Sequence, residues 1–524
     1  MHDLLGGDHS WTGGRGDWET GRRSPEAVPQ SPCPPVTLSL SLHRMAVTLT
    51  LPLWLAIVLG LLALWSALDR LLIPSARWFL RRRVNRVLEE INTRLKIRIP
   101  PFKLTKREVL IDRLLYDPQV QEAAEAQARE AGTPREVVQD RIHRYAREIV
   151  PAFNAYIYFR FGYWLARTIA RSLYRVRLGY SDERGLSSIG PASTVVFLIN
   201  HRSNMDYILV SYLAAEKAAL SYAVGEWARI WPLQTLIRAM GAYFVRRSSG
   251  DPLYRKVLER YVAMATQAGV TQAVFPEGGL SRDGRLRRPK LGILDYMTRS
   301  FDPASERDIV FVPVGINYDR VFEDRSFLRE LDAKAPPPGA FASVRQMLQF
   351  LLRNLWLLAR NKWHRFGYAC VNFGSPVSLK EHIRRRGVDF RALGREERSA
   401  AIEELGRELM AEVARVVPAV PVSLVATAFL RHPARAWSEL ELKGAALDLM
   451  RELEATGAHV YVPRGDQDYA ITVGLRMLTL RHLVTESGGL YNAHPEELPL
   501  LAYYANSITH LLTESGKPET PEDA

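Results

Sequence analysis

Short apolar runs alternate with helical patterns from about residue 190 onward, and this alternation limits the possible folds more than any other feature. Five runs predict buried strands, at 194–199, 242–245, 271–275, 309–314 and 368–373. Three segments between the first four runs predict helices, at 204–215, 252–268 and 291–300. Strands that alternate with helices form a mostly parallel sheet covered by helices. The sequence therefore predicts an α/β fold with a central, mostly parallel sheet flanked by helices.

An uncharged apolar run covers residues 46–68 and is long enough to cross a bilayer as one helix. Six arginines follow within residues 70–86, and positive charge favours the cytoplasmic side. We therefore expect an N-terminal membrane helix over 45–70 in the cell (inner) membrane, with the domain that follows it on the cytoplasmic side. A hairpin that enters one leaflet, with Pro52 and Pro74 as helix breakers, is the alternative.

The remaining regions are predicted from composition. Residues 1–44 are rich in Gly, Ser and Pro, so we expect them to be disordered or to be a mis-assigned extension before Met45. Residues 71–189 predict a helical, membrane-proximal region, in which 151–176 mixes aromatic residues with arginine. That mixture suits either a helix at the lipid headgroups or a core helix. Two further regions are expected: an α/β domain at 190–385 and a mainly helical C-terminal region at 386–524.

The chain carries a formal net charge of +13, which attracts nucleic acid, anionic lipid or phosphorylated metabolites. Charge alone does not separate these partners, and a solvated arginine surface explains it equally well. The two cysteines, Cys33 and Cys370, have no metal-ligand or redox spacing. The sequence therefore predicts neither a disulfide framework nor a zinc site.

His201 follows the first predicted strand, and Asp206 lies five residues later at the start of a predicted helix. A carboxylate bonded to one ring nitrogen fixes the tautomer and leaves the other nitrogen as a base. Such a base can take the proton of a substrate hydroxyl that attacks a thioester. When the spacing stands alone, a histidine that only caps the helix is the simpler explanation. One His–Asp pair also supplies too few ligands for zinc.

Two further strand-to-helix loops carry groups that suit an anion. Their candidate residues are Arg246, Arg247, Glu277, Gly278, Ser281 and Arg282. Ligands in open α/β sheets gather at the carboxyl ends of the strands, so these loops are expected to converge near His201. Arginine forks match phosphate oxygens, and glycines let backbone N–H groups approach an anion closely. Together the loops predict a base beside a phosphate pocket.

These blocks resemble the glycerolipid acyltransferases that carry an HxxxxD motif. The string NHRSNMDYILVSYL (200–213) is most similar to their glycerol-3-phosphate acyltransferase branch. The resemblance implies that His201 is the base and that Asp206 is its partner. GAYFVRRS (241–248) is similar to the second block, which implies phosphate binding by Arg247 with Arg246 beside it. FPEGGLSRDGR (275–285) is similar to the third block, which implies substrate binding by Glu277, Gly278, Ser281 and Arg282.

The resemblance implies transfer of an acyl group from acyl-CoA or acyl carrier protein to the sn-1 hydroxyl of glycerol 3-phosphate, giving lysophosphatidate, without a cofactor or metal. Leu280 departs from the branch, which usually carries arginine there, and Pro276 is commoner in lysophosphatidate acyltransferases. Lysophosphatidate and dihydroxyacetone phosphate therefore stay open as acceptors. A non-catalytic basic protein would explain the charge but not the His, Asp, Glu and Arg residues at successive strand ends. Membrane lipid is an expected partner, and nucleic acid is not.

Overall fold

The computed structural model describes residues 36–38, 49–52, 54–55, 57–60, 99–214, 219–225, 233–246, 249–331 and 365–512. The chain divides into two compact units, Met1–Val84 and Asn85–Ala524. The regions predicted after residue 84 therefore belong to one compact unit.

In the first unit, β1 (Val36–Leu38) pairs antiparallel with β2 (Leu49–Leu51). β1 lies in the stretch predicted to be disordered, and β2 lies in the run predicted to be a membrane helix. Val and Thr favour extended backbone, and Pro52 cannot donate to a strand ladder. Most of the predicted anchor lies outside the described residues. No helix in the described part of the chain is both long and apolar enough to cross a membrane.

The second unit opens with helices and a short π-helix. In chain order these are α1 (Pro101–Leu104), α2 (Arg107–Leu115), α3 (Pro118–Ala131), α4 (Arg135–Ile149), the π-helix (Ile157–Gly162) and α5 (Tyr163–Leu173). The π-helix and α5 bury one stripe at four-residue spacing, Tyr158, Gly162, Ala166 and Ala170. Their opposite face exposes aromatic and arginine side chains. The 151–176 segment therefore has both a core face and an exposed aromatic face.

Eight of the described strands form one sheet. They are β3 (Arg175–Ser181), β4 (Thr194–Ile199), β5 (Ser221–Val224), β6 (Tyr243–Phe244), β7 (Gln272–Val274), β8 (Ile309–Tyr318), β9 (Tyr368–Phe373) and β10 (Val377–Ser378). The order is β3-β9-β8-β4-β7-β5-β6, and β10 pairs with β8. Along this path only the β8–β9 pair is antiparallel among the described strands. The predicted mostly parallel sheet is confirmed.

Within this sheet, the sequence predicted β4 and β9 with their observed bounds and missed β3, β5 and β10. β3 pairs with one neighbour and keeps most of its side chains exposed, so it shows no apolar run. The sheet therefore begins before residue 190, inside the region predicted to be helical. β8 extends four residues beyond its predicted end, to Tyr318. This extension brings Tyr318 to the same edge as the end of β4, because the two strands are parallel.

The helices that follow β3 cover the sheet. They are α6 (Glu183–Ser188), α7 (Met205–Ala214), α8 (Leu233–Ala239), α9 (Pro252–Gln267), α10 (Gly292–Thr298), α11 (Asp324–Leu331), α12 (Leu379–Arg386) and α13 (Arg395–Val416). Side chains of β4 alternate between two cores: Val195, Phe197 and Ile199 pack in one, and Val196 and Leu198 pack in the other. The sheet thus separates two hydrophobic layers, and the loops lie at the ends of its strands.

The C-terminal region is mainly helical, as predicted, and shares a core with the sheet. Its elements are α14 (Pro421–Arg431), β11 (Trp437–Ser438), α15 (Glu439–Ala455), α16 (Gln467–Leu480), β12 (Val484–Ser487), β13 (Leu490–Ala493) and α17 (Leu498–Ala505), with 3-10 turns at Pro463–Gly465, Pro495–Glu497 and Thr509–Leu511. Tyr504 of α17 accepts a hydrogen bond from the backbone N–H of Val321 and bonds to Asp324. Arg481 donates to Asp324 at 2.6 Å. These buried contacts hold α17 against the loop that follows β8.

Candidate active site

The end of β4 delivers His201 to the carboxyl edge of the sheet. Asn200 fixes this end through two bonds to Ile316 of β8: its side-chain N–H donates to the carbonyl at 2.9 Å, and its side-chain oxygen accepts from the backbone N–H at 2.7 Å. His201 Nδ1 lies 3.0 Å from Asp206 Oδ2, at the start of α7. The predicted pairing of His201 with Asp206 is therefore present in the structure.

The Asp206 carboxylate is fully buried and accepts several hydrogen bonds. The backbone N–H groups of Arg202 and Ser203 donate to Oδ2 at 2.7 and 3.0 Å. The hydroxyl of Tyr318 donates to Oδ1. Burial, and then the charge of Asp206, raise the pKa of Tyr318 well above its ordinary value, which keeps this hydroxyl a donor. The turn 201–206 thus surrounds the Asp206 carboxylate with backbone N–H groups, and Tyr318 of β8 contacts its other oxygen.

The His201 imidazole is held between aromatic rings. Its ring stacks on Phe275 with centroids 4.1 Å apart and meets Tyr207 edge-on at 5.5 Å. Nε2 is buried and has no hydrogen-bond partner among the described residues. With Asp206 on the other nitrogen, the bonding pattern assigns the proton to Nδ1. Nε2 is then free to accept a proton.

The loop after β7 is tied to the loop after β4. Glu277 is buried, and its Oε1 accepts from the backbone N–H of His201 at 2.9 Å. Burial raises the pKa of Glu277 to about 8, although the backbone N–H groups of His201 and Arg287 lower it. The backbone N–H of Ser281 donates to the His201 carbonyl at 2.8 Å, and its hydroxyl donates to the Arg285 carbonyl at 2.7 Å. Glu277 and Ser281 therefore bind protein groups that position the base.

Gly278 allows a close crossing within the same loop. Its φ is +66°, and a Cβ there would lie 2.6 Å from the side chain of Lys290. The positive φ favours glycine at this position. Lys290 also donates its backbone N–H to the carbonyl of Pro276 at 2.8 Å. Gly278 thus closes the loop compactly beneath His201.

The described arginine candidates are engaged in ion pairs. Arg246 donates to both oxygens of Glu148, at 2.9 and 2.6 Å, and its guanidinium lies over Tyr145 and Tyr254. These hydrogen bonds to the Glu148 carboxylate raise the pKa of Arg246. Arg282 is 52% exposed and pairs with Glu330 at 3.0 Å. Arg247 lies outside the described residues. Neither of the two described arginines presents an unpaired guanidinium to His201.

Three residues at the site were missed from the sequence: Arg202, Tyr318 and Glu323. Glu323 accepts from the Ser203 hydroxyl at 2.7 Å and from the Asn204 backbone N–H at 3.2 Å. Burial raises its pKa to about 7. Arg202 donates to the Gly284 carbonyl at 2.6 Å and is buried. The NHRSNMD and NYD strings contain two of these residues, but only the β4–β8 register brings them together.

An apolar cavity of about 240 Å³ lies beside Phe275. Val245, Leu258, Met297 and Leu409 contribute to its lining, and Arg246 and Lys290 add cationic groups. Phe275 lines the cavity and also stacks on His201. No group of three or more His, Cys, Asp or Glu side chains in the described part of the chain is placed to hold a metal ion.

Two protein-family models match the chain. The Acyltransferase family matches residues 182–317, which include the dyad and the loop after β7. The glycerol-3-phosphate acyltransferase C-terminal region matches residues 352–516, which include α12 to α17.

Curated proteins are similar to most of the chain. The glycerol-3-phosphate acyltransferase of Xanthomonas axonopodis pv. citri (strain 306) is 28% identical over 446 residues, which is 83% of this chain and 49% of that protein. The glycerol-3-phosphate acyltransferase of Pseudomonas putida (strain W619) is 29% identical over 425 residues, which is 78% of this chain and 49% of that protein. The chain is therefore similar to the glycerol-3-phosphate acyltransferase branch of the acyltransferase superfamily. It spans about half the length of the curated relatives it matches.

A solved structure is also similar to part of the chain. The 1-acyl-sn-glycerophosphate acyltransferase PlsC from Thermotoga maritima has 18% identity and a TM-score of 0.27, over 58% of this chain and 96% of that protein. A TM-score of this size does not establish a shared fold.

The two regions that the family models match contact each other near the site. Asn317 of β8 donates to the Ser507 hydroxyl at 3.0 Å, and Asn506 donates to the Asp283 carbonyl at 2.9 Å. A Cβ on Gly284 would lie 2.0 Å from the carbonyl oxygen of Tyr503, so α17 and the loop after β7 are in direct backbone contact. The C-terminal region therefore forms one wall beside the dyad.

Proposed function

We propose that this chain transfers a fatty acyl group from acyl-CoA or acyl carrier protein to the sn-1 hydroxyl of glycerol 3-phosphate, giving lysophosphatidate. One observation carries the proposal: a buried imidazole is held by Asp206 on one nitrogen and has no partner on Nε2 among the described residues. This is the arrangement that general-base catalysis of acyl transfer requires.

In the proposed reaction, the acceptor hydroxyl donates a hydrogen bond to His201 Nε2. The sn-1 oxygen forms a bond to the thioester carbonyl carbon while its proton passes to Nε2. Asp206 stabilises the imidazolium that results and keeps the ring oriented. Collapse of the tetrahedral intermediate breaks the carbon–sulfur bond, and the leaving thiolate takes the proton from Nε2. The base is then restored without a covalent acyl-enzyme.

The apolar cavity supports a fatty acyl donor. Aliphatic and aromatic side chains line it, and concave apolar sites of this kind bury hydrocarbon ligands. Phe275 both lines the cavity and stacks on the imidazole ring, so an acyl chain in the cavity would hold its thioester near the base. We propose that this cavity takes part of the acyl chain.

Membrane association is part of the proposal. We propose that the chain works at the cell (inner) membrane, with its catalytic domain on the cytoplasmic side. Six arginines follow the uncharged run 46–68. The π-helix and α5 also expose Phe161 and Trp164, whose rings lie 6.1 Å apart, together with Arg160 and Arg167. Exposed aromatic rings beside arginines suit the headgroup layer of an anionic membrane.

The membrane proposal is tested by vesicle flotation. We expect the purified chain to float with anionic vesicles more than with zwitterionic ones, and Trp164→Asp to reduce the floated fraction. Leu440→Asp is the matched control, because Leu440 is an exposed apolar residue on α15. Equal losses in both variants would contradict a role for the α5 face.

The reaction is tested with purified protein in detergent, palmitoyl-CoA and three acceptors: glycerol 3-phosphate, lysophosphatidate and dihydroxyacetone phosphate. We expect acylation of glycerol 3-phosphate, with a loss of about 10²–10⁴-fold in kcat in the His201→Ala variant. Acylation of lysophosphatidate alone would replace the proposed acceptor. Full activity of His201→Ala would overturn the mechanism.

A further inference from the structure

Arg202, the residue next to the base, is a buried cation with most of its donor capacity unused. Its side chain is 3% exposed. One terminal nitrogen, Nη1, donates to the Gly284 carbonyl at 2.6 Å. Its other two nitrogens, Nε and Nη2, are buried and have no hydrogen-bond partner among the described residues. Buried charged donors left unpaired are costly, so this arrangement calls for a bound anion.

The geometry of an arginine side chain specifies which anions fit. Nε and Nη2 lie on the same edge of the planar guanidinium and present two parallel N–H bonds. That edge matches two oxygens of one phosphate or carboxylate. Glu277 is near enough to have its pKa lowered by the charge of Arg202, yet no hydrogen bond joins the two side chains. The Nε–Nη2 edge therefore has no hydrogen-bond partner in the described part of the chain.

We propose that the Nε–Nη2 edge of Arg202 binds the phosphate of the glycerol 3-phosphate acceptor. This inference rests on the proposed function and deepens it. It assigns phosphate recognition to the residue next to the base, whereas Arg246 and Arg282 are occupied by Glu148 and Glu330.

The acceptor fits this position better than the donor does. Consecutive Cα atoms are about 3.8 Å apart, so His201 and Arg202 present their side chains from a single turn. A three-carbon phosphate monoester is short, and it can place its hydroxyl at His201 while its phosphate meets Arg202. The phosphates of an acyl donor are many bonds away from the thioester. Holding both ends of the acceptor would also select the hydroxyl that reacts.

The C-terminal region supports this guanidinium. The ring of Tyr503 lies 4.9 Å from the guanidinium carbon, and aromatic faces attract such cations. Because Gly284 contacts the Tyr503 backbone and Asp283 accepts from Asn506, α17 also holds the carbonyl to which Arg202 is anchored. Tyr503 is thus a positioning residue for Arg202.

The test compares Arg202→Lys and Arg202→Gln with wild type. Lysine keeps the charge but loses the planar fork, and glutamine removes the charge without burying a new one. We expect Arg202→Lys to raise KM for glycerol 3-phosphate about 10–100-fold, with KM for palmitoyl-CoA unchanged. Arg202→Gln should raise KM for glycerol 3-phosphate further. Arg451→Lys is the matched control, because Arg451 is an exposed arginine on α15.

The possible outcomes separate the claims. If wild type does not acylate glycerol 3-phosphate, the proposed function fails. If wild type does so and both Arg202 variants keep its KM, only the assignment of Arg202 fails. A rise in KM for palmitoyl-CoA instead would move Arg202 to the donor phosphates and overturn the assignment. Thermal melting of each variant, with and without glycerol 3-phosphate, separates lost binding from lost folding: stabilisation by the ligand should disappear in both variants.

Discussion

The two sides of the candidate active site differ in how completely their polar atoms are paired. The Asp206 carboxylate accepts from His201, Arg202, Ser203 and Tyr318. The Arg202 guanidinium, only four residues away, uses one of its three nitrogens among the described residues. The base side is therefore organised before any substrate binds, whereas the arginine side keeps two buried donors without a partner in the described part of the chain. Preorganised groups need no rearrangement during the reaction, which makes them effective in catalysis.

The largest effect on activity is expected from a substitution of Asp206, whose carboxylate accepts the hydrogen bonds of the base side. Asp206→Asn replaces the acceptor-only carboxylate with an amide, which cannot accept from every current donor and no longer fixes the imidazole tautomer. We expect kcat to fall about 10²–10⁴-fold while the circular dichroism spectrum keeps its shape. Asp448→Asn, an exposed aspartate on α15, is the control. Unchanged turnover in Asp206→Asn would remove Asp206 from the mechanism.

A smaller effect is expected when Tyr318, which donates to the same carboxylate from β8, is replaced. Tyr318→Phe removes one hydrogen bond to a buried charge and leaves Asp206 Oδ1 without that donor. We expect the free energy of unfolding to drop by about 1.5–3 kcal/mol and kcat to fall about tenfold. The exposed Tyr116 supplies the control, Tyr116→Phe. If both substitutions had the same effect, Tyr318 would have no special part in preorganising the dyad.

The sequence predicts the His201–Asp206 pair better than it predicts the contacts of Tyr318 and Arg202. His201 and Asp206 belong to one short string, so their spacing alone predicts their contact. Tyr318 lies 112 residues from Asp206, and its contact depends on the register between β4 and β8. No local pattern contains that register. β8 also had to extend beyond its predicted end before Tyr318 reached the carboxyl edge.

Arg202 shows the same limit for charged residues. In the sequence it is one of 70 Lys and Arg residues, and most buried positions are filled by apolar side chains. Its burial comes from Gly284 and Tyr503, which lie far along the chain. The more conspicuous arginines, Arg246 and Arg282, find carboxylates at Glu148 and Glu330, and no spacing rule predicts those partners. Strand bounds, by contrast, follow from local apolar runs, as in β4 and β9.

A pH-dependent prediction concerns Glu277, which joins the loops of the two sides. Burial raises its pKa from 4.5 to about 8. Between these values the folded chain holds a proton that the unfolded chain has released, so this group's stabilisation declines as pH rises and is lost above about pH 8. Glu277→Gln removes that titration. We expect its free energy of unfolding to decline less steeply over this range, by up to about 1.4 kcal/mol per pH unit.

The measurement for Glu277→Gln is urea unfolding at pH values from about 5 to about 9. Some slope should remain, because burial also raises the pKa values of Glu323 and Asp319 to about 7. Glu403→Gln, an exposed change on α13, should reproduce the wild-type slope. A slope for Glu277→Gln that matches wild type would mean that Glu277 is ionised in the folded chain throughout this range.

The smallest effect is expected at Arg282, and it tests whether an exposed arginine contributes to phosphate binding beside Arg202. Arg282 is half exposed, and exposed ion pairs of this kind contribute about 0–1 kcal/mol. We expect Arg282→Ala to raise KM for glycerol 3-phosphate by less than about fivefold, well below the effect of Arg202→Lys. Glu330→Ala is the matched partner variant, and it frees Arg282 without removing it. If Arg282→Ala raised KM for glycerol 3-phosphate as much as Arg202→Lys does, both arginines would contribute to phosphate binding. The proposed difference between the exposed, paired Arg282 and the buried Arg202 would then be wrong.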